Sequence, residues 1–555
     1  MKDRSDMVTD SGSVSLENLQ GPTIDRRTTI KLLSGAGIAG LAGCAGSDGS
    51  ADTNTSDTSA TGNGTPDTGD SITAGWYASG LDDLDPHYVT SGERFQLIAN
   101  ITSGLTMLTP EVEMQGDLAT DWTVEKGGAR IVYELREDVT FHNGEKFTAD
   151  DVAFSVERSI TEEAPNSDLL SPLKPIDDGG VSVIDDYTVA VEFEQPYIPG
   201  LIYFSREGRA ANVINQTALE EMGREDFKRT PVGTGPFEVV SHDVGERIEL
   251  EAFDDYYRTD ENGTQLPYLD GVTVRAVPEA GTIVNALRSG DLDFINEVPL
   301  ENAPQLKQSS DIVTHQRPDL NYYNLSMNSD VEPFTTKTAR LGFAKLIDSE
   351  QMVEEGFFGN ANPEPTLYSP AHEWIYRDWE DKPQDQAYDP EEGQRLLEEA
   401  GVADASVTLL ADGRTKRLME IIQRQLSNAG LDVSIEQVST SVYWDRVPDA
   451  DAVITWSSGD YDPDTGIYRS FHSEGIFNDA GYDNERVDEL LEAQRETTDR
   501  DERREQLQEI EDRVIKDAPT AFFGHREDVV GHRSHVSGFV HVPFQRRLEY
   551  LSTSE

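Results

Sequence analysis

The order of apolar strands and amphipathic helices late in the chain constrains the fold most. Three predicted strands alternate with two predicted helices, in the order 406–411, 414–428, 431–438, 442–447 and 451–456. Consecutive strands that are joined through helices pair in parallel. Ligands of open parallel sheets bind beyond the carboxyl ends of the strands. The pattern therefore predicts an α/β fold with a binding loop after the last strand.

The loop that follows this strand is polar and contains glycine. It spans 457–468, directly after Trp456, and carries Asp460, Asp462 and Asp464. Carboxylates beyond a parallel strand are candidates for ligand contacts. A solvated acidic loop is an equally good interpretation of the same residues.

Helix-capping residues mark other elements. Asp389, Pro390 and Gly401 predict a helix start and stop, and Glu392 is placed to close a capping box with Asp389. Thr148 predicts the start of another helix after a stretch of period-two alternation over 129–142. Two charged helices are predicted near the end of the chain, over 484–496 and 499–517.

The N-terminal region is predicted to be an export signal followed by a tether. Arg26 and Arg27 precede a weakly apolar run that ends at Cys44, the single cysteine of the chain. The run is too short to cross a hydrocarbon core of about 30 Å as a helix. Residues 1–43 resemble a twin-arginine lipoprotein signal that leaves Cys44 to carry a lipid. Residues 44–70, which contain no large apolar side chain, predict a disordered tether.

The charge balance excludes some classes of partner. The chain has 105 acidic and 46 basic residues, a net charge of −59. Nucleic-acid binding needs clustered basic residues, so no nucleic-acid partner is expected. A uniformly acidic chain is typical of salt-loving microbes, where the Debye length falls to about 3 Å near 1 M salt, and a halophilic archaeon is the expected source.

Several stretches resemble one family, the family 5 extracellular solute-binding proteins, which are the dipeptide, oligopeptide and nickel binders of ABC importers. The resemblance extends over about residues 72–540. Its segments, in order, are LATDW (118–122), YELREDVTFHNGEKFTADDVAFSVER (133–158), TPVGTGPFEVV (230–240), FDDYYR (253–258), ALRSGDLDF (286–294), KLIDSEQMV (345–353), YDPEEGQRLLEEAG (388–401) and GYDNERVDELLEAQ (481–494).

The resemblance implies a periplasmic-binding-protein type II-like fold. Two hinged α/β lobes enclose a ligand cleft, an extra α+β domain is inserted in the first lobe, and the chain crosses between the lobes near residues 320 and 518. The implied boundaries are 71–105, 208–320 and 518–555 for lobe I, 106–207 for the inserted domain, and 321–517 for lobe II.

The resemblance also implies a function without catalysis. A lipid-anchored monomer on the outer face of the cytoplasmic membrane would capture peptides and deliver them to an ABC permease and ATPase complex, with no cofactor and no metal. A nickel complex or an oligosaccharide is the alternative ligand. A secreted hydrolase is the remote alternative, since the chain has no H-E-x-x-H, G-x-S-x-G or G-x-x-x-x-G-K motif.

Ligand-binding residues follow in part from the resemblance. Asp460 looks like the aspartate that meets a peptide's α-ammonium, and Asp462 is the alternative. Trp456 is expected to line the cleft, and with Tyr461 it would also serve as a platform for a sugar.

A second group of candidates follows a lobe crossing. Tyr322, Tyr323 and Asn324 are expected to meet the ligand backbone, with packing inside a strand as an equally good interpretation. Four histidines near the end of the chain could serve a metal, although scattered surface and core positions explain them better: His525, His532, His535 and His541.

Lipid anchoring is testable with one substitution. Cys44→Ser removes the only thiol to which a lipid could be attached, so we expect the variant to be released into the medium. Cell fractionation and immunoblotting of the medium and membranes measure this, with Ser47→Ala in the tether as the control. Retention of Cys44→Ser on membranes would contradict the anchor.

Overall fold

The computed structural model describes residues 69–78, 80–456 and 461–554. The predicted signal with Arg26 and Arg27, the anchor Cys44 and most of the predicted tether lie outside these residues, and so does Asp460. Within the described part of the chain, no helix is long and apolar enough to cross a membrane.

Strands and helices alternate along the described residues. The strands are β1 Ser71–Trp76, β2 Thr106–Leu108, β3 Met114–Gly116, β4 Ala119–Glu125, β5 Arg130–Leu135, β6 Val181–Asp185, β7 Thr188–Glu192, β8 Phe237–Asp243, β9 Arg247–Ala252, β10 Gly271–Ala276, β11 Phe294–Ile295, β12 Ile312–Pro318, β13 Tyr323–Met327, β14 Ala361–Asn362, β15 Ser406–Ala411, β16 Asp432–Gln437, β17 Ala452–Trp456, β18 Thr520–Arg533, β19 Val536–Ser537 and β20 Ser552–Thr553. The helices are α1 Gly92–Ile98, α2 Ala149–Thr161, α3 Gly200–Tyr203, α4 Gln216–Met222, α5 Arg224–Phe227, α6 Ala280–Ser289, α7 Ala303–Leu306, α8 Lys337–Lys345, α9 Ser349–Gln351, α10 Pro390–Ala400, α11 Lys416–Asn428, α12 Thr440–Arg446, α13 Pro463–Phe471, α14 Glu485–Glu496 and α15 Arg500–Asp517.

One long strand, β18, connects the two α/β lobes. The main sheet runs in the order β16-β15-β17-β13-β18-β11-β1-β10-β9-β8. The first part of β18 pairs with β13 on the lobe II side, and its last part pairs with β11 and β12 on the lobe I side. The chain also crosses between the lobes in the short segment that links β12 to β13. The residue boundaries implied for the lobes stay predictions.

The predicted parallel unit is present in lobe II. Strand β15 pairs in parallel with both β16 and β17, which confirms the order of elements inferred from the apolar pattern. Helix α11 covers one flank, and its buried side chains include Leu418, Ile422 and Leu426. These pack with the strands into the core of this lobe.

The predicted caps are confirmed at Thr148 and Asp389, but the capping box at Glu392 is wrong. Asp389 accepts a hydrogen bond from the Glu392 N–H at 3.0 Å. The N–H of Asp389 donates to the carbonyl of Lys345 instead of to the Glu392 side chain. The Glu392 carboxylate pairs with Arg395, one turn along the helix.

A four-stranded antiparallel sheet, β4-β5-β7-β6, forms a separate layer with α2. The chain segment after β7, which includes Ile198 and Tyr203, also contacts lobe II. The Tyr203 hydroxyl lies 2.8 Å from Oγ1 of Thr465, and the N–H of Ile198 donates to the carbonyl of Arg495 at 2.8 Å. These contacts join the edge of this layer to helices α13 and α14.

A buried ionic cluster joins three segments that are far apart in the chain. The guanidinium of Arg206 donates to both oxygens of Asp117, at 2.9 and 2.8 Å, and to Glu549 at 3.1 Å. All three side chains are buried. A buried charge left without its partner is costly, so the cluster favours one arrangement of these segments.

We expect Arg206→Met to destabilise the fold strongly. The variant removes the guanidinium that contacts both Asp117 and Glu549 and leaves these buried carboxylates only the longer contacts of Arg258 and Arg547, at 3.5 and 3.8 Å. We expect a loss of about 3–5 kcal/mol in the free energy of unfolding. Denaturant unfolding at high salt, followed by circular dichroism, measures the change. Arg395→Met, on the exposed face of α10, is the control and should change little. Equal stability of Arg206→Met and wild type would contradict a stabilising role for the cluster.

Candidate functional site

A cavity of about 430 Å³ lies between the two lobes. Its lobe I wall includes Tyr77, Glu93, Gln96, Glu297, Phe544 and Arg546. Its lobe II wall includes Tyr323, Arg414, Thr415, Leu418, Ile454 and Trp456. Its floor is formed where the chain crosses between the lobes, by Asp319, Asn321, Arg526 and Asp528. We call this cavity the cleft.

Aromatic side chains form the lobe II wall of the cleft. Trp456 ends β17 and is the cross-strand partner of Tyr323 on β13. Because directly opposed residues face the same side of a sheet, their rings stack, with centroids 6.2 Å apart. The Arg414 guanidinium lies 5.2 Å from the Trp456 ring centroid. This wall offers flat apolar faces next to a positive charge.

A tight turn after β15 holds Arg414 in position. Asp412 is fully buried and accepts the N–H groups of Arg414 and Thr415, at 2.9 and 3.1 Å. The Arg414 Nε donates to the same carboxylate at 2.7 Å. Asp412 therefore fixes both the backbone and the side-chain direction of Arg414. Burial would raise the pKa of Asp412, but these bonds hold it below its usual value.

Two ion pairs form much of the remaining floor and wall. Arg526 pairs with Glu297 across β18 and the end of β11. Arg546 makes a bidentate contact with Asp528, at 2.9 and 2.7 Å. Burial alone would raise the pKa of Asp528, but Arg546 and His541 hold it well below its usual value.

Asp319 differs from the other buried carboxylates of the cleft. Its side chain accepts hydrogen bonds from the N–H of Leu320 at 2.7 Å and from the amide of Asn321 at 2.8 Å. Only 5% of its surface is exposed, and within the described residues its carboxylate forms no ion pair. Burial and the nearby Asp528 carboxylate raise the pKa of Asp319 to about 6.

Comparison with known proteins identifies the family. Residues 113–478 match the family described as bacterial extracellular solute-binding proteins, family 5 middle. The chain belongs to this family. It is a solute-binding protein of the kind that serves ABC importers, and the family is extracytoplasmic.

Relatives of the family 5 protein extend over most of its length. The glutathione-binding protein GsiB of Pectobacterium atrosepticum is 25% identical over 480 residues, which cover 83% of this chain and 90% of that protein. The fold also matches the periplasmic binding protein DppA of Helicobacter pylori in complex with peptide STSA, with a TM-score of 0.73 and 24% identity over 88% of this chain and 99% of that one. NikZ of Campylobacter jejuni in complex with Ni(L-His) has a TM-score of 0.73 and 19% identity over 87% and 99% of the two chains.

Two of the residues singled out from sequence lie in the cleft of this family 5 protein. Trp456 and Tyr323 line it. Tyr322 points to the opposite side of β13 and packs on Phe471 and Phe522 in a core. Asn324 is buried and accepts a hydrogen bond from the Thr455 hydroxyl at 2.9 Å. Alternation along the strand explains the split between Tyr322 and Tyr323.

The described part of the acidic loop does not line the cleft. Asp462 caps α13, and the guanidinium of Arg503 donates to its two oxygens at 2.7 and 2.6 Å. Burial would raise the pKa of Asp462, but Arg503 holds it below its usual value. Tyr461 is buried and donates its hydroxyl to the carbonyl of Pro543 at 2.9 Å. Ligand contacts by these residues and by Asp460 stay predictions.

The histidines near the chain end contact different partners. His525 is buried beside Thr366, and burial lowers its pKa to about 3. His532 stacks on His315, His535 contacts Asp293, and His541 contacts Asp528. Across the described ranges, no group of three or more His, Cys, Asp or Glu side chains could hold a metal ion.

Sequence reasoning missed most of the charged groups of the cleft. Arg414 had a usable signal, because it follows the carboxyl end of β15, where the parallel-sheet rule also places ligands. Asp319 lies three residues before the candidate Tyr322 in the crossing segment. Nothing in the sequence pointed to Glu297 or Asp528 as cleft residues, because an isolated acidic residue is not informative in a chain that has 105 of them.

We expect Asp319 to titrate near pH 6. Because burial raises its pKa to about 6, its protonated form persists well above the usual pH range of an aspartic acid and is lost as the pH rises through that value. Infrared difference spectra of wild type minus Asp319→Asn measure the protonated carboxyl band. Asp151, whose pKa burial also raises to about 6, provides a matched control as Asp151→Asn. If no carboxyl band that is lost near pH 6 depended on Asp319, the raised pKa of this residue would be contradicted.

Proposed function

We propose that this protein captures short peptides in the cleft and delivers them to an ABC permease and its ATPase. In this proposal it works as a monomer on the outer face of the cytoplasmic membrane, anchored through a lipid on Cys44. The observation that carries the proposal is the cleft, which is lined by both lobes and by both crossing segments. A ligand that contacts both lobes stabilises their closed arrangement.

The size of the cleft suits a small ligand. Its volume of about 430 Å³ falls within the roughly 300–1,000 Å³ that is usual for small-molecule sites. Short peptides fit this space, whereas a folded protein does not. The relatives GsiB and DppA are named for glutathione and described with the peptide STSA, and both of these ligands are short peptides.

Charges of both signs in the cleft suit a zwitterion. Arg414 contacts Asp412 through Nε, and its terminal nitrogens are proposed to donate to a peptide carboxylate. Asp460, in the loop after Trp456, is proposed to accept the α-ammonium. An ammonium offers three donors, which suits a carboxylate acceptor.

An oligosaccharide is the second candidate. The stacked rings of Tyr323 and Trp456 provide the flat apolar face that a sugar ring would cover. Asp319 favours the peptide, because a neutral sugar leaves this buried carboxylate, which forms no ion pair among the described residues, without a counter-charge.

The first experiment is native mass spectrometry of residues 70–555, purified at high salt as the predicted halophilic origin requires. Release of bound short peptides supports the proposal. Release of a sugar or of a nickel complex would support the same transport role with a different ligand. Cleavage of added peptides would support a hydrolase instead.

The role of Asp460 is tested with blocked peptides. We expect Asp460→Ala to weaken binding of free peptides by about 10- to 100-fold, the value of a charge-assisted hydrogen bond. Binding of N-acetylated peptides should change little, because they carry no ammonium. Calorimetric titration measures both affinities, and Asp178→Ala, on the exposed surface, is the control. Equal losses for free and acetylated peptides would contradict the role of Asp460.

A further inference from the structure

We propose that the ligand carries a basic side chain and that Asp319, on the cleft floor, is the residue that binds it. The inference rests on the proposed function and names the class of peptide: one that contains lysine, ornithine or arginine. This second cationic contact is separate from the α-ammonium contact proposed for Asp460.

The position of Asp319 places it against a ligand. It lies between β12 and β13, in one of the two segments that cross between the lobes, and it lines the cleft. Its backbone carbonyl accepts a hydrogen bond from the Ser369 hydroxyl. The neighbouring Tyr323 belongs to the aromatic wall. Asp319 lies close enough to Tyr323 for its charge to raise the pKa of the Tyr323 hydroxyl, so we infer that a side chain packed on the Tyr323 and Trp456 rings reaches the Asp319 carboxylate.

The other charges of the cleft are already balanced. Arg414 pairs with Asp412, Arg526 with Glu297, and Arg546 with Asp528. Within the described residues, the lining carboxylates without an ion pair are Asp319 and Glu93. A ligand side chain with a positive charge therefore matches the cleft better than one with a negative charge.

The hydrogen bonds of Asp319 leave room for a cation. Each oxygen accepts one neutral N–H, from Leu320 or from Asn321, and a carboxylate oxygen has a second lone pair. A buried carboxylate without a counter-ion is unfavourable, so the arrival of an ammonium or guanidinium relieves this cost as it binds.

The neighbours of Asp319 determine how pH acts on this contact. On β18, Asp528 adds negative charge and Arg526 adds positive charge, although Arg546 and Glu297 balance them. His541 contacts Asp528, and Glu93 and Tyr77 lie on the lobe I wall. Because burial raises the pKa of Asp319 to about 6, acidification below that value removes its charge and should weaken the contact with a basic side chain.

Three tripeptides of matched size test the inference: Ala-Lys-Ala, Ala-norleucine-Ala and Ala-Glu-Ala. Calorimetric titration at one high KCl concentration compares wild type, Asp319→Asn and Asp311→Asn, an exposed control at the start of β12. We expect wild type to bind the lysine peptide about tenfold or more tightly than the norleucine peptide. Asp319→Asn should lose this preference, and Asp311→Asn should keep it.

The pH dependence of wild type provides a test that needs no variant. The preference for lysine over norleucine should fall between about pH 7.5 and about pH 5, as Asp319 is protonated. This measurement, together with Asp319→Glu, decides the matter if Asp319→Asn does not fold. Asp319→Glu keeps the charge and should keep part of the preference.

The outcomes separate this inference from the function on which it rests. Equal binding of the lysine and norleucine peptides by wild type overturns the inference and leaves peptide capture in place. A lysine preference that survives in Asp319→Asn, or that does not fall at low pH, overturns the role of Asp319. Failure of wild type to bind any peptide overturns the proposed function and the inference together.

Discussion

A single strand, β18, holds the two lobes in one sheet. Its first residues complete the lobe II strands and its last residues complete the lobe I strands. At Gly524, between these two parts, φ is +142° and an added Cβ would lie 2.6 Å from the carbonyl of Asn362. Only glycine fits this backbone without strain. A register shift in β13 lies opposite the same point, so the sheet is irregular where the lobes meet.

The same crossing supplies the floor of the cleft. Arg526 and Asp528 come from β18, and Asp319 comes from the other crossing segment. A ligand on this floor contacts the residues about which the lobes would rotate. Binding of such a ligand would therefore be coupled to the relative position of the two lobes. The hydrogen bonds of Tyr203 and Ile198 with lobe II are formed far along the chain from this floor and depend on the same relative position.

Strands, helices and their caps were predicted from the sequence more successfully than the residues of the cleft. Parallel pairing around β15 followed from the order of apolar segments, and the cap at Asp389 followed from residue type. Glu392 was assigned wrongly because the competing carbonyl of Lys345 is distant in sequence. Tyr322 and Tyr323 could not be separated before the register of β13 was known, since one residue changes the face of a strand. The proposed role of Asp319 depends on its carboxylate forming no ion pair with any described residue, and that is a property of the folded chain.

The ends of the described chain meet in lobe I. Strand β1 pairs with β11, which pairs with β18, and the Thr553 hydroxyl donates to Asp70 across a separation of 483 residues. During synthesis, the strand partners of β1, which are β10 and β11, are made well before β18. The lobe II strands from β13 to β17 are made after these and also before β18, so the same later strand completes both lobes. A chain that stopped before β18 would therefore lack the strand that completes both lobes and joins them.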